Sequence, residues 1–337
     1  MAISFASLND IEFSSHLNVL SIIADNGEKS VLFSISHNGV TIFSNTYIPN
    51  ANGYIFVYDL HKIIDEAISQ SHATFSFKAG SISKNVTVIR CNTLVDIPAA
   101  EFIQKHFLTP LMSTRRTSLY RKECLSLIAD TTTSVDALVT YFKNGVLNTI
   151  TKHLTDVTDF STIDVSPSLF FDEHEGQLVS YRIIAGKRTQ DYDVVPNNPD
   201  AVSVIYRNSF HTFETFHFNG LLTTEFEHTR SNAVVGGHLM TYDIKQTQLF
   251  KANTGVIPYG MSVLPYELCR SMEIYLLEDD SFGDEIVITD AECKSDNAPD
   301  TLEDFTITYR RADPFTTKIK TPKPVKLFDS SFDGTFN

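Results

Sequence analysis

The chain has no tryptophan, only four cysteines, 14 glycines and 12 prolines in 337 residues, and a clear shortage of basic side chains. Each shortage excludes something. No run of about 18 apolar residues occurs, so no transmembrane helix is expected and no membrane partner with it. With 27 Lys+Arg against 41 Asp+Glu the formal charge is −14, which argues against a nucleic-acid binder, whose phosphate contacts need a basic face. So little Gly and Pro beside 42% apolar residues excludes a collagen-like or broadly disordered chain. Cys91, Cys124, Cys269 and Cys293 stand far apart, with no CxxC and no Cys/His pair at zinc spacing. Residues 1–10 offer neither the basic region nor the apolar core of an export signal. Four reduced thiols are therefore expected rather than two disulfides. The sequon Asn85-Val86-Thr87 is read as chance.

What is abundant points to strands. All aromatic residues are Phe (25) and Tyr (13), and together with many Ser and Thr they favour extended structure. The expected fold is mainly β: serial β-sandwich domains with a few short helices and an extended C-terminal arm. Five segments follow along the chain. Residues 1–108 form a β-rich domain, in which Asn38-Gly39 between two apolar runs signals a hairpin. Leu60, Ile63, Ile64 and Ala67 share a helical face there, with Asp59 as N-cap. Residues 109–122 are read as a solvated linker carrying Arg115, Arg116, Arg121 and Lys122.

Residues 123–200 form a β-sandwich domain. Its expected strands are 124–129, 135–142 and 146–154, turning at Asn144-Gly145, followed by an edge strand at 162–167 and a hairpin over 178–195. Residues 201–314 form a β-rich domain with strands near 202–207, 212–218, 221–230 and 246–253, and a sharp turn at Gly236-Gly237. One helix is expected there, starting near Ser262 with Pro265 in its first turn. Residues 315–337 are read as the arm: Lys318, Lys320, Lys323 and Lys326 interleave with prolines, and Phe328, Phe332 and Phe336 recur every four residues. These seven are the assembly-arm candidates.

Catalytic and metal templates fail in turn. There is no phosphate-binding glycine loop, no GxSxG elbow and no HExxH. His211 and His217 are an even number of residues apart and fit one sheet face, with His228, Glu214, Glu225 and Glu227 near in sequence. Histidines on strands are the simpler reading. Asp279, Asp280, Asp284 and Glu285 surround a glycine turn but miss the EF-hand spacing. Asp172-Glu173-His174-Glu175 is carboxylate-rich enough for a polysaccharide hydrolase but has the look of a solvated loop. The expectation is no enzyme, no cofactor and no metal.

From residue 160 onward the order of short motifs resembles a known group. It runs from Thr162-Ile163-Asp164-Val165-Ser166-Pro167 through Val204-Ile205-Tyr206-Arg207-Asn208-Ser209-Phe210 and Glu214-Thr215-Phe216. It continues with Asn253-Thr254-Gly255, a helix ending near Ser271, Ile286-Val287-Ile288-Thr289-Asp290, and finally Thr306-Ile307-Thr308-Tyr309-Arg310-Arg311-Ala312-Asp313. This resembles mostly uncharacterised proteins of phage and prophage gene clusters of Bacteroides and related gut bacteria, taken to be virion structural components of the tail or baseplate. The match covers roughly the last half of the chain and contains no catalytic residues. It implies a non-enzymatic tail, collar or baseplate protein of the virion, assembled in the host cytoplasm, whose partners are copies of itself and other virion structural proteins. The alternative is a carbohydrate- or receptor-binding β-sandwich adhesion protein, which needs exposed aromatic platforms.

Overall fold

The computed structural model describes residues 3–24, 28–172, 174–196, 198, 200–278, 281–293 and 303–313. It is mainly β, with four sheets and three α-helices among the described residues. The first body holds β1 (Ser4–Phe5), β2 (Ile11–Phe13), β3 (Val19–Ile23), β4 (Val31–His37), β5 (Val40–Tyr47), β6 (Tyr54–Tyr58), α1 (Leu60–Ala67), β7 (His72–Ala79) and β8 (Ile82–Ile89). A three-stranded sheet, β1-β3-β6, and a five-stranded one, β2-β8-β7-β4-β5, enclose a shared core. The alternation that makes these strands also fills that core. Phe33 and Ile35 of β4, Ile55 and Val57 of β6, and Phe75 and Phe77 of β7 all point inward, and Leu60 and Ile64 of α1 join them. Asn38 and Gly39 both adopt positive φ, 49° and 79°, as a two-residue hairpin demands. Asp59 stands at the head of α1, but at φ 58° its side chain caps nothing. It pairs with Lys62 at 3.1 Å instead.

The second body follows α2 (Ala99–Lys105) and comprises β9 (Arg115–Thr117), β10 (Cys124–Lys143), β11 (Val146–Asp164), β12 (Gln177–Ala185) and β13 (Arg188–Val194), in the order β11-β10-β12-β13-β9. The segments expected as separate strands at 124–129 and 135–142 are one long strand, irregular in register between Ala129 and Thr133. The expected solvated connector is corrected at its centre. Residues 115–117 pair in parallel with 192–194 of β13, which places Arg115 and Thr117 in the interior.

The third body is a seven-stranded sheet, β15-β14-β18-β19-β20-β17-β16. Its elements are β14 (Val202–Arg207), β15 (Phe213–Phe218), β16 (Leu222–Val235), β17 (His238–Asn253), α3 (Val263–Arg270), β18 (Ile274–Glu278), β19 (Ser281–Cys293) and β20 (Phe305–Arg311). Leu264 and Leu268 of α3 pack on Val204, Tyr206, Ile274 and Ile307. Pro265 falls in the first turn of α3, where a missing N–H costs no helical bond. The three bodies meet at one apolar joint. Phe13 from β2, Phe102 from α2 and Phe210 from the turn after β14 lie with ring centroids 5.2 to 5.8 Å apart, against Ile89 and Ile128.

Candidate functional site

Two regions of the molecule depart from ordinary soluble-protein anatomy. The first lies where β9 and β10 of the second body meet β15 of the third. Arg115, Glu123, Glu214 and His217 are 2%, 0%, 2% and 7% exposed. β9 turns Arg115 inward, the start of β10 brings Glu123, and β15, buried on both faces, contributes Glu214, Thr215 and His217. One Arg115 amino group donates to Glu123 at 2.9 Å and the other to Glu214. Glu123 accepts also from the Thr215 hydroxyl at 2.8 Å, and its other oxygen lies 3.0 Å from His217 Nε2. Glu214 accepts from Thr109 at 2.5 Å and from the Asn208 amide at 2.9 Å. His217 Nδ1 meets the Ser203 hydroxyl at 2.9 Å.

Burial by itself pushes the Glu123 carboxyl upward. The Arg115 guanidinium and His217 more than reverse this and hold it down at about 2. Burial likewise opposes the charge on Arg115, and Glu123 and Glu214 keep its pKa well above the arginine range. All four carboxylate oxygens are engaged, so the cluster ties β9, β10 and β15 together. A cavity of about 310 Å³ adjoins it, lined by Arg115, Glu123, Thr215 and His217 of the cluster itself and by Arg116 and Asn219. The neighbouring thiol of Cys124 is pushed by burial to about 12, and that of Cys91 to about 11, which makes both unreactive fillers.

The second region is the hairpin β16–β17. Among the described residues its ladder from Glu225–Leu249 to Val235–His238 has no third strand, because β20 pairs only with Phe250–Asn253 and β16 is the edge of the described sheet. At 3.4 Å per residue this part projects roughly 35 Å. Gly236 and Gly237, at φ 61° and 84°, close its tip. The tip is apolar and bare: Val234, Val235, Leu239, Met240 and Tyr242 are 56 to 72% exposed. An isolated two-stranded ribbon is marginal in water, and exposed apolar area of this kind marks an interaction surface.

The residues singled out in the sequence are dispersed. His211 lies in the turn after β14 at φ 57°, His217 faces Glu123, and His228 stands on the projecting hairpin. The shared face expected for His211 and His217 is thus not formed. No metal-holding group of His, Cys, Asp and Glu occurs among the described residues. Asp284 pairs with Arg311 at 3.0 Å, and Asp279 and Asp280 lie outside the described residues. Asp172 is in an exposed turn, where it accepts from the His174 N–H at 3.0 Å.

Three of the four basic residues of 109–122 are also spoken for, Arg115 in the cluster above and the two that follow; Arg116 is exposed. Arg121 donates to Ser203 and to the carbonyls of Ala201 and Asn198, and Lys122 pairs with Asp164 at 2.5 Å. Lys318, Lys320, Lys323, Lys326, Phe328, Phe332 and Phe336 lie outside the described residues. No helix among the described residues is long and apolar enough to cross a membrane. Compared with protein-family models and with curated proteins, the chain matches none.

Proposed function

We propose that the chain is a non-enzymatic structural protein of a bacteriophage particle, a tail, collar or baseplate component that works by assembling with copies of itself and with other virion proteins. The observation that carries this reading is the free-standing hairpin β16–β17. A ribbon projecting roughly 35 Å with a bare apolar tip has no use to a lone subunit and fits an arm that grips a neighbour. The internal welding of the three bodies supports it too. A subunit that must transmit force or hold a ring needs rigid joints, and the Phe13–Phe102–Phe210 contact and the Arg115 cluster are such joints. The order of strand motifs in the second half of the chain, with its resemblance to tail and baseplate proteins, points to the same class.

The test is assembly with and without the arm. Light scattering and negative-stain imaging of the full chain are expected to show ring-like oligomers, or a monomer that joins them only beside a partner. Replacing residues 226–248 by an Asn-Gly turn is expected to abolish association while the body keeps its far-ultraviolet signature. A full chain that stays strictly monomeric and is absent from purified particles by mass spectrometry ends the reading.

One observation favours a second reading, adhesion to carbohydrate. Tyr54, Phe56 and Tyr58 are 38%, 41% and 63% exposed and lie two apart on β6, an edge strand, so all three face the same way. The rings of Tyr54 and Phe56 lie 6.2 Å apart and nearly parallel, at 12°. Such a strip can stack on sugar rings. A glycan array without hits, or hits that survive Phe56→Ala and Tyr58→Ala, removes it.

A further inference from the structure

A separate cavity, of about 220 Å³, lies where the end of β8 meets the end of β14 and the C-terminus of α3. Three guanidinium groups line it, Arg90, Arg207 and Arg270, in a chain whose formal charge is −14. Two of them are answered by carboxylates. Arg207 Nε donates to Glu273 at 2.7 Å, and its guanidinium sits 4.1 Å over the Phe213 ring, which fixes it in place. Arg270 reaches Glu267 at 3.4 Å with one amino group and the Asn92 carbonyl at 3.2 Å with the other, and the second Glu267 oxygen is already occupied by the backbone N–H and hydroxyl of Ser209.

Arg90 differs from both. Its Nη1 donates to His211 Nε2 at 3.2 Å, and its Nε is buried without an acceptor among the described residues. The Asp65 carboxyl feels its charge but makes no ion pair with it. His211 is held for this role at φ 57°. Its N–H donates to the Asn208 carbonyl at 2.9 Å, and its own carbonyl accepts from Arg207 at 3.0 Å. A non-glycine residue kept in the left-handed region by its surroundings is a recurrent mark of binding sites. Because His211 accepts from a guanidinium it is uncharged, and burial followed by Arg90 and Arg207 places its pKa near 4. The cavity therefore presents three cations against two carboxylates, and one of the cations has an unanswered donor.

We propose that this cavity binds a phosphate-type oxyanion, held between Arg90 and Arg270 with Arg207 as a fixed wall. Planar guanidinium donors converging from three chain segments match the several acceptor oxygens of such a group. The space exceeds that of the bare ion, so a small phosphomonoester fits as well as inorganic phosphate. The site is independent of the assembly reading, since neither the hairpin nor the Arg115 cluster contributes to it.

Titration calorimetry of the full chain tests it, with inorganic phosphate in one arm and glycerol 3-phosphate in the other, at constant ionic strength in chloride. Saturable binding in either arm is expected, and the tighter arm names the source. Arg270 is 59% exposed in its side chain, so Arg270→Gln is expected to fold normally and to bind about tenfold more weakly. Arg90→Lys keeps the charge but loses the fork, and is expected to weaken binding further. If that variant does not fold, Arg270→Gln decides alone. Arg182→Gln, on β12 outside the cavity, serves as the control that leaves affinity unchanged. No saturable binding in either arm overturns the proposal, and so does affinity equal to wild type in Arg270→Gln.

Discussion

The junction around Arg115 and the tip of the β16–β17 hairpin invert the usual partition of side chains in opposite senses. At the junction, a guanidinium, two carboxylates and an imidazole are buried. At the tip, Val234, Val235, Leu239 and Met240 face water. The charges tolerate burial because each meets the others within the same subunit, so the cost of desolvation is offset internally. The apolar tip has no such partner among the described residues. The contrast separates a joint that is complete in one subunit from a surface that is complete only beside another.

The largest effect is expected at Arg115. Arg115→Met leaves Glu123 and Glu214 buried without their cation and is expected to cost about 3–5 kcal/mol, read from urea unfolding. Adding Glu123→Gln and Glu214→Gln is expected to recover much of that loss. If Arg115→Met is as stable as wild type, the junction is not closed in the way described.

Acid reaches the same joint. Glu123 sits at about 2 when folded, against an ordinary value of 4.5. Its contribution, on the order of 3 kcal/mol, is therefore fully present above pH 4.5 and is lost as the pH falls from there toward 2. Urea midpoints measured down this range are expected to drop more steeply for wild type than for Glu123→Gln; parallel curves would show that another carboxyl governs acid unfolding.

The tip is expected to answer in the other way. Val234→Asp with Leu239→Asp should leave subunit stability within about 0.5 kcal/mol while abolishing association in light scattering. A large loss of stability would mean that the tip packs on its own subunit. The smallest effect is expected at an exposed pair. Arg182 and Asp191, 2.6 Å apart on β12 and β13, are roughly half exposed, and Arg182→Ala should cost less than about 1 kcal/mol. A larger loss would erase the distinction between buried and surface charge in this protein.

Local features of this fold were legible because their causes are local. Asn38-Gly39, Asn144-Gly145 and Gly236-Gly237 need positive φ, and all six residues have it. The start of α3 and the place of Pro265 follow from the same short-range rules. The Arg115 joint was not legible. Thr114-Arg115-Arg116-Thr117 has no apolar alternation, and its strand exists only because residues 192–194 supply the partner. Glu214 and His217 read as ordinary strand residues, since their partners Arg115 and Glu123 lie 99 and 94 residues away. The projecting hairpin was half legible. Its strands and turn could be read, but alternation says which residues share a face, not whether anything covers that face.

The reach of the Arg115 contacts along the chain also orders events in time. Hairpins such as β4–β5 and β10–β11 join neighbouring segments and close small loops. Arg115 cannot meet Glu214 until the intervening strands of the second body have been arranged. Closing a loop of that length costs more entropy than closing a hairpin, so we expect the charge joint to form late in folding. Its loss should then appear almost entirely as faster unfolding with an unchanged folding rate. Arg115 is in this sense a latch, setting how long a finished subunit lasts.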